Sequence, residues 1–474
     1  MANTQLEKNT VKEKTTIAGA GPVGALLAVI LARHGHPVNL CESRPDSRKH
    51  SVYQGKSINI ALSDRGWLAL EAVGIAEQVK QNAIAMKKRV MHAVDGTITE
   101  QAYGKEGQAI WSVSRAGINE QLLDLAEKES LINIEFEQRL IDVDFNSASA
   151  SFSHEHAINK VSGDILFGAD GAYSKVRRLA QETPRFSYSQ SYMPQSYIEL
   201  HIPANADGSF KMDKDALHIW PRKDFMLIAL PNPDGTFTCT LFLDFQGEVS
   251  FSSLTRRSDV SEFFQQYFAD AMSLLESPVD EFMEKTANPL SLVSVDPWVI
   301  NNKVALIGDA AHAMVPFFGQ GMNCGFEDCR VLGELISQYN NDWSQILPAY
   351  QGARKINADA ITELAKRNFI EMSEYSGQAS FLLQKKIEAE FHQRQPKLWT
   401  PLYSMVTFSP LLPYSEALAI GDIQQKIMQQ IMRIPDIEHC WQEDFVYQKL
   451  QKLAEAAFKG ANNEAVIHTR GENK

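Results

Sequence analysis

The segment Gly19-Ala20-Gly21-Pro22-Val23-Gly24 constrains the fold of this chain more than any other. It ends the short apolar run TTIAGA (residues 15–20) and opens a stretch, 22–35, that reads as a helix closing on Gly35. Residues 37–42, PVNLCE, then read as a second strand, and together these pieces make a βαβ unit. Each glycine of the turn has its own task there. Gly19 permits the tight bend, Gly21 lets the backbone approach a pyrophosphate, and Gly24 lets helix and strand pack closely. A pyrophosphate at the helix N-terminus would meet free amides and the positive end of the helix dipole. Glu42 stands at the end of the second strand, where a carboxylate accepts ribose hydroxyls and disfavours a 2′-phosphate. The glycines alone are a weak signal. With strand, helix and acidic strand end in place they indicate FAD or NAD.

At 474 residues the chain exceeds one ordinary domain and suggests two or three cooperating ones. Its net charge of −12 argues against nucleic acid or an anionic membrane surface as the main partner. The 5 cysteines form no C-x-x-C pair, so we expect no disulfide framework and a reducing, cytoplasmic setting. The polar start MANTQLEKNTVKEK lacks an apolar signal core, and the tail AAFKGANNEAVIHTRGENK is polar too, so no leader or membrane anchor is expected. No H-x-E, C-x-x-C or His/Asp cluster points to a metal, and none is expected. Oligomeric state is not legible.

Helical spacing is expected over 64–81 and over 115–130. Residues 195–245 differ, with β-rich runs (SYIELHI, ALHIW, FMLIAL, FTCTLFL) separated by the turns Pro221–Asp224 and Pro231–Gly235. After them KVALIGDAAH returns to a buried, parallel-type strand, and from about 325 the pattern is mostly helical. The expected class is therefore α/β: a Rossmann-like cofactor-binding domain with an inserted antiparallel β-sheet substrate domain and a C-terminal helical region. We expect boundaries at 1–185 and 291–375 for the two parts of the nucleotide domain, 186–290 for the insertion and 376–474 for the helices.

Two further segments choose between dinucleotides. Gly168-Ala169-Asp170-Gly171-Ala172-Tyr173-Ser174-Lys175-Val176-Arg177 is similar to the Asp-Gly segment of the FAD-dependent aromatic hydroxylases typified by para-hydroxybenzoate hydroxylase. Ala305-Leu306-Ile307-Gly308-Asp309-Ala310-Ala311-His312, followed by Pro316 and Gly319-Gln320-Gly321-Met322-Asn323, resembles a second segment of that family. The resemblance implies that Asp309 meets sugar hydroxyls of FAD and that the helix opening at Gly321 faces the pyrimidine end of the flavin. Amides and a dipole there stabilise an anionic reduced flavin. Read alone, His312 is a satisfied structural histidine, and we assign it no role. No second strand–G-x-G-x-x-G–helix unit provides a separate nicotinamide domain.

Within that family the chain most resembles the kynurenine 3-monooxygenases, over most of residues 15–415. The matching stretches include Gly55–Ser63, Lys88–His92, Ala102–Gly104, Leu217–Arg222, Phe237–Phe242, Val315–Asn323 and Pro401–Ser409. Lys56 departs from the pattern, standing where an arginine is expected.

The resemblance implies hydroxylation of L-kynurenine to 3-hydroxykynurenine with NADPH and O2, through a flavin hydroperoxide, in tryptophan degradation. The chemistry is carried by the flavin, so no side chain is assigned as catalytic. It further implies that Arg89, Tyr103, Asn368 and Tyr403 grip the amino acid, and a carboxylate suits an arginine fork with phenolic donors. Met226, Ile228, Leu230, Phe242, Pro316 and Phe317 are candidates for an apolar slot. Arg44, Ala61, Arg115, Leu140, Met322 and Asn323 carry over as further FAD contacts. Taken singly, Arg89 reads as a surface charge and the two tyrosines as packing residues. Another aromatic acid as substrate, or a non-catalytic binding protein on the same scaffold, stays open here. So does the choice between NADPH and NADH.

Overall fold

The computed structural model describes residues 12–49, 59–155, 157–375 and 378–469. Lys56 and its neighbours Gly55, Ser57 and Ile58 lie outside the described residues, as do the first eleven residues and 470–474.

A six-stranded sheet forms the base of the nucleotide-binding part, in the order Val299–Ile300, Val304–Leu306, Ile165–Gly168, Thr15–Ala18, Val38–Cys41, Ile132–Glu135. All neighbours are parallel except the first pair. Thr15–Ala18 is wholly buried, which is why the strand reads as a continuous short run rather than an alternating one. The chain leaves it in one direction toward Val38 and returns on its other side at Ile165, so Gly19 opens at a topological switch point. The helix Pro22–Arg33 begins with proline at its first position and buries Gly24 through Ala32 against the sheet.

The helix expected over 64–81 forms as two, Asp64–Ala72 and Ala76–Lys80. Gly74 breaks it, taking φ +72° between them. The helix expected over 115–130 runs Arg115–Lys128, its first turn capped by the Ser114 hydroxyl accepting from Gly117 N.

The β-rich middle folds into a seven-stranded sheet, ordered Asn288–Asp296, Ser187–Ile202, Phe237–Asp244, Phe225–Pro231, Ala216–Arg222, Lys88–His92, Ile98–Ala102. The last two strands come from the stretch before residue 185. Lys88–His92 pairs in parallel with Ala216–Ile219, placing Arg89 beside Leu217. Long-range pairing of this kind leaves no local mark in the sequence. One face of the sheet packs on the main core, and the other covers a second core under the helix Arg257–Tyr267.

The C-terminal helices Ala379–Arg394, Tyr414–Ile431 and Asp444–Thr469 carry a third core. Arg65 ties this region to the body of the protein. Its guanidinium donates to the carbonyl of Val406 at 2.8 Å, pairs with Glu327 at 2.8 Å and lies 3.9 Å over the ring of Tyr414. The short helix Leu402–Phe408, and with it Tyr403, is fixed by that anchor. No helix among the described residues is long and apolar enough to cross a membrane.

Candidate active site

A single cavity of about 700 Å³ runs from the glycine turn, past Asp309, to an aromatic slot under the seven-stranded sheet. Its two halves are built by different elements.

The first half is a cradle for an extended, phosphate-bearing molecule. Gly19 sits at φ +105°, and a Cβ there would fall 2.5 Å from the carbonyl oxygen of Ala169, so only glycine lets the ends of these two parallel neighbours come so close. A Cβ on Gly24 would lie 2.0 Å from the Gly19 carbonyl oxygen. Gly21 differs: a Cβ on it would meet nothing within 4 Å and would point into open space, where a pyrophosphate needs room. Glu42 is buried, and Ala20 N and Arg44 N and Nε donate to its carboxylate at 2.8, 3.0 and 2.8 Å. Burial alone would raise its pKa, but Arg44 and these amides prevail and hold it below the usual carboxylate value. Glu42 thus stays an anion at the edge of the cavity, ready to accept sugar hydroxyls.

Ala61, Arg115, Leu140, Asp309 and Met322 also line this half, as does Arg44. Asp309 opens the short helix Asp309–His312 after Gly308 at φ +61°. The helix Gly321–Gln338 directs the unpaired amides of its first turn toward the cavity, where Gly321 and Met322 form the wall. Asn323 and Gly24 are not in that wall. The Asn323 amide donates to the carbonyls of Ala61 (2.8 Å) and Gly319 (2.7 Å) and accepts from Ser63 N at 2.9 Å, so its side chain is spent locking this helix to the strand Asn59–Leu62.

Behind the cradle lies a buried charged cluster. His312 Nε2 meets Asp328 at 2.6 Å, and Arg354 pairs with Asp328 at 2.7 Å and Glu327 at 2.8 Å. His312, Cys324 and Asp328 bring ligand atoms within 4.8 Å of one another. The Arg354 guanidinium already engages two of the three, Asp328 and the Cys324 sulfur at 3.5 Å, and Gly308 N donates to Asp328 at 3.3 Å, so the group forms an ion-pair clamp under Gly308 and Asp309.

The second half is apolar with one charged end. Met226, Ile228, Leu230, Phe242, Pro316 and Phe317 line it, and Phe242 meets Phe317 edge-on at 5.0 Å. Arg89 stands at the end, only 7% exposed, with its guanidinium 5.1 Å from the ring of Tyr103 and 4.6 Å from that of Tyr403. The two rings stack at 5.2 Å. Arg89 Nε and the Tyr103 phenol oxygen are buried without a hydrogen bond of good geometry among the described residues. Burial opposes the charge on Arg89, but its polar surroundings, Glu371 among them, outweigh it and keep its pKa high. Burial pushes the phenols of Tyr103 and Tyr403 upward, so both keep their protons as donors. A buried guanidinium with an idle Nε donor beside two phenols has the chemistry to receive a carboxylate.

Asn368 lies outside the cavity wall. Its amide donates to the carbonyl of Phe317 at 2.6 Å and supports the wall from behind. The sequence reading missed Leu217, Thr240, Phe318 and Met372, all of which face the cavity. Alternation in the strands Ala216–Arg222 and Phe237–Asp244 marks the first two. Met372 sits in a π-helical turn, Glu371–Tyr375, that no pattern announces.

The FAD binding domain family matches residues 12–365. The chain is 46% identical to the kynurenine 3-monooxygenase of Flavobacterium psychrophilum, over 93% of this chain and 98% of that one. The chain belongs to the kynurenine 3-monooxygenase family. Membership extends to animals: the Sus scrofa enzyme of that name is 41% identical over 88% of each chain. Among solved structures the fold is shared with 2-methyl-3-hydroxypyridine-5-carboxylic acid oxygenase (TM-score 0.64, 19% identity, 78% of this chain and 94% of that). It is shared equally with Pseudomonas aeruginosa PqsL in complex with 2-aminobenzoylacetate (TM-score 0.63, 18% identity, 78% and 99%). Family membership makes FAD the molecule for the cradle, and the open approach at Gly21, the anionic Glu42 and the helix amides at Gly321 fit it.

Proposed function

We propose that this chain hydroxylates L-kynurenine to 3-hydroxykynurenine, using FAD, NADPH and O2. The observation that carries this reading is Arg89, buried between Tyr103 and Tyr403 at the end of an apolar slot that opens into the FAD cradle. Arg89 and the two phenols bind the substrate carboxylate by charge-assisted hydrogen bonds, strengthened by exclusion of water. The apolar walls hold the aryl ring, and Asn368 supports them through Phe317. Bound FAD supplies the redox chemistry, taking reducing equivalents from NADPH and activating dioxygen. Gly19, Gly21, Glu42, Arg44, Ala61, Arg115, Leu140, Asp309 and Met322 hold it against that slot, Gly24 by helix packing and Asn323 by fixing the helix that faces it. The protein's part is position and dryness: it brings the ring carbon beside the amino group to the flavin and keeps water from the site.

We assign the protein to the reducing cytoplasm, in keeping with its five free cysteines. The test is product identification after incubation with kynurenine, NADPH and air, against a panel of other aromatic acids. NADPH oxidation stimulated by another acid, with no hydroxykynurenine formed, would replace kynurenine as the substrate.

A further inference from the structure

Three neighbouring strands of the sheet turn one polar side chain into the slot among apolar ones. Strands Ala216–Arg222, Phe225–Pro231 and Phe237–Asp244 present Leu217, Met226, Ile228, Leu230 and Phe242 to the cavity, and with them Thr240. Strand alternation explains the placement. Phe237, Cys239, Leu241 and Leu243 enter the second core on the opposite face, which turns Thr238, Thr240 and Phe242 the other way. Thr238 is engaged by Asn232 at 3.2 Å. The Thr240 hydroxyl makes no hydrogen bond among the described residues, although the residue is only 8% exposed. A hydroxyl in an apolar wall, without a protein partner and facing a substrate cavity, is costly unless the substrate supplies one.

We propose that Thr240 Oγ1 accepts a hydrogen bond from the arylamine of the substrate and so decides which ring edge meets the flavin. The inference rests on kynurenine as substrate. In that molecule the amino group and the ketone are ortho, so one N–H closes onto the ketone oxygen. The other N–H points outward along the edge leading to C3, the carbon that becomes hydroxylated. Arg89 grips only the far end, the carboxylate, and leaves the aryl ketone free to turn over. Turning it exchanges C3 for C5, and apolar walls discriminate poorly between two such faces. An acceptor on one side does discriminate. Accepting from the N–H also increases the donation of the nitrogen lone pair into the ring, which activates the ortho carbon toward an electrophilic oxygen. Thr240 is thus a positioning residue that also reads the substrate's amino group.

The experiment uses the FAD-loaded enzyme and two ligands, kynurenine and its analogue with hydrogen in place of the arylamine. Thr240→Val keeps the shape and β-branching and removes the hydroxyl, while Thr240→Ser keeps the hydroxyl. With Thr240→Val the calorimetric Kd for kynurenine should rise roughly 3- to 10-fold. The hydroxykynurenine formed per NADPH consumed should fall, with hydrogen peroxide making up the difference. The Kd for the desamino analogue should not change, and Thr240→Ser should restore both kynurenine readouts. Equal weakening of both ligands, or wild-type binding and coupling in Thr240→Val, would overturn the assignment while leaving kynurenine as the substrate. Wild-type enzyme that neither binds nor hydroxylates kynurenine would overturn the substrate reading and, with it, this one.

Discussion

Tyr403 stacks on Tyr103 at 5.2 Å, and Arg89 lies against both rings. The pair joins a helix near the end of the chain to a loop near its start, and neither ring alone would fix the guanidinium. Among the described residues that line the slot, Arg89 is the charged one, with Glu371 close enough to favour its charge.

Arg89→Ala should therefore abolish tight substrate binding. Leaving a buried carboxylate unpaired costs on the order of 3–5 kcal/mol, or roughly 10²- to 10³-fold in Kd. Arg89→Lys should recover part of this, since a point charge lacks the planar fork. Flavin content should remain normal in both, and a decarboxylated analogue should bind about as well as to wild type. Equal losses for kynurenine and that analogue would remove Arg89 from the carboxylate site.

Two glycines of one turn should fail in different ways. Gly21→Val places its branches in open cavity, so the apoprotein should keep its Tm and lose FAD, seen as a colourless preparation. Gly24→Ala forces a methyl within 2.0 Å of the Gly19 carbonyl and should lower the Tm of the apoprotein itself. A stoichiometrically yellow Gly21→Val protein would contradict the cradle.

Asp309→Ala should weaken FAD by about 1–3 kcal/mol, measured by fluorescence titration of the apoprotein. The substitution removes an acceptor at the cavity edge and leaves the clamp of His312, Asp328 and Arg354 intact. An unchanged affinity would reduce Asp309 to a turn residue.

His218 gives a pH signature. Burial lowers its pKa from 6.5 to about 4, so the fold holds it neutral while the unfolded chain protonates it first. Its contribution is unpenalised above about pH 6.5, and stability is lost as pH falls from there to about 4. By pH 4 the loss from this one group is about 3 kcal/mol. His218→Gln should be less stable than wild type at pH 7.5, and the gap in Tm should narrow as the solution is acidified. A gap that stays constant would mean that His218 carries its proton in the fold as well.

Much of the cradle was legible because its demands are local. A glycine that must sit beneath a phosphate, or an acid at a strand end, occupies a fixed offset from its neighbours, as Gly21 and Glu42 do. Arg89, Tyr103 and Tyr403 were legible only through resemblance, since nothing near any of them reveals that a parallel pairing with Ala216–Ile219 and the Arg65 anchor bring them together. Asn323 and Asn368 show the opposite limit. Their position beside the site could be inferred, but the spending of their amides on the carbonyls of Gly319 and Phe317 is a matter of packing. The split at Gly74 was written in the sequence and outweighed by the apolar spacing on either side of it.

The Arg65 anchor has a consequence for biosynthesis. The residues that line the flavin cradle end at Met322, whereas the carboxylate clamp lacks one of its rings until Leu402–Phe408 has left the ribosome and docked on Arg65. The substrate clamp is accordingly the later of the two sites to be completed as the chain is made.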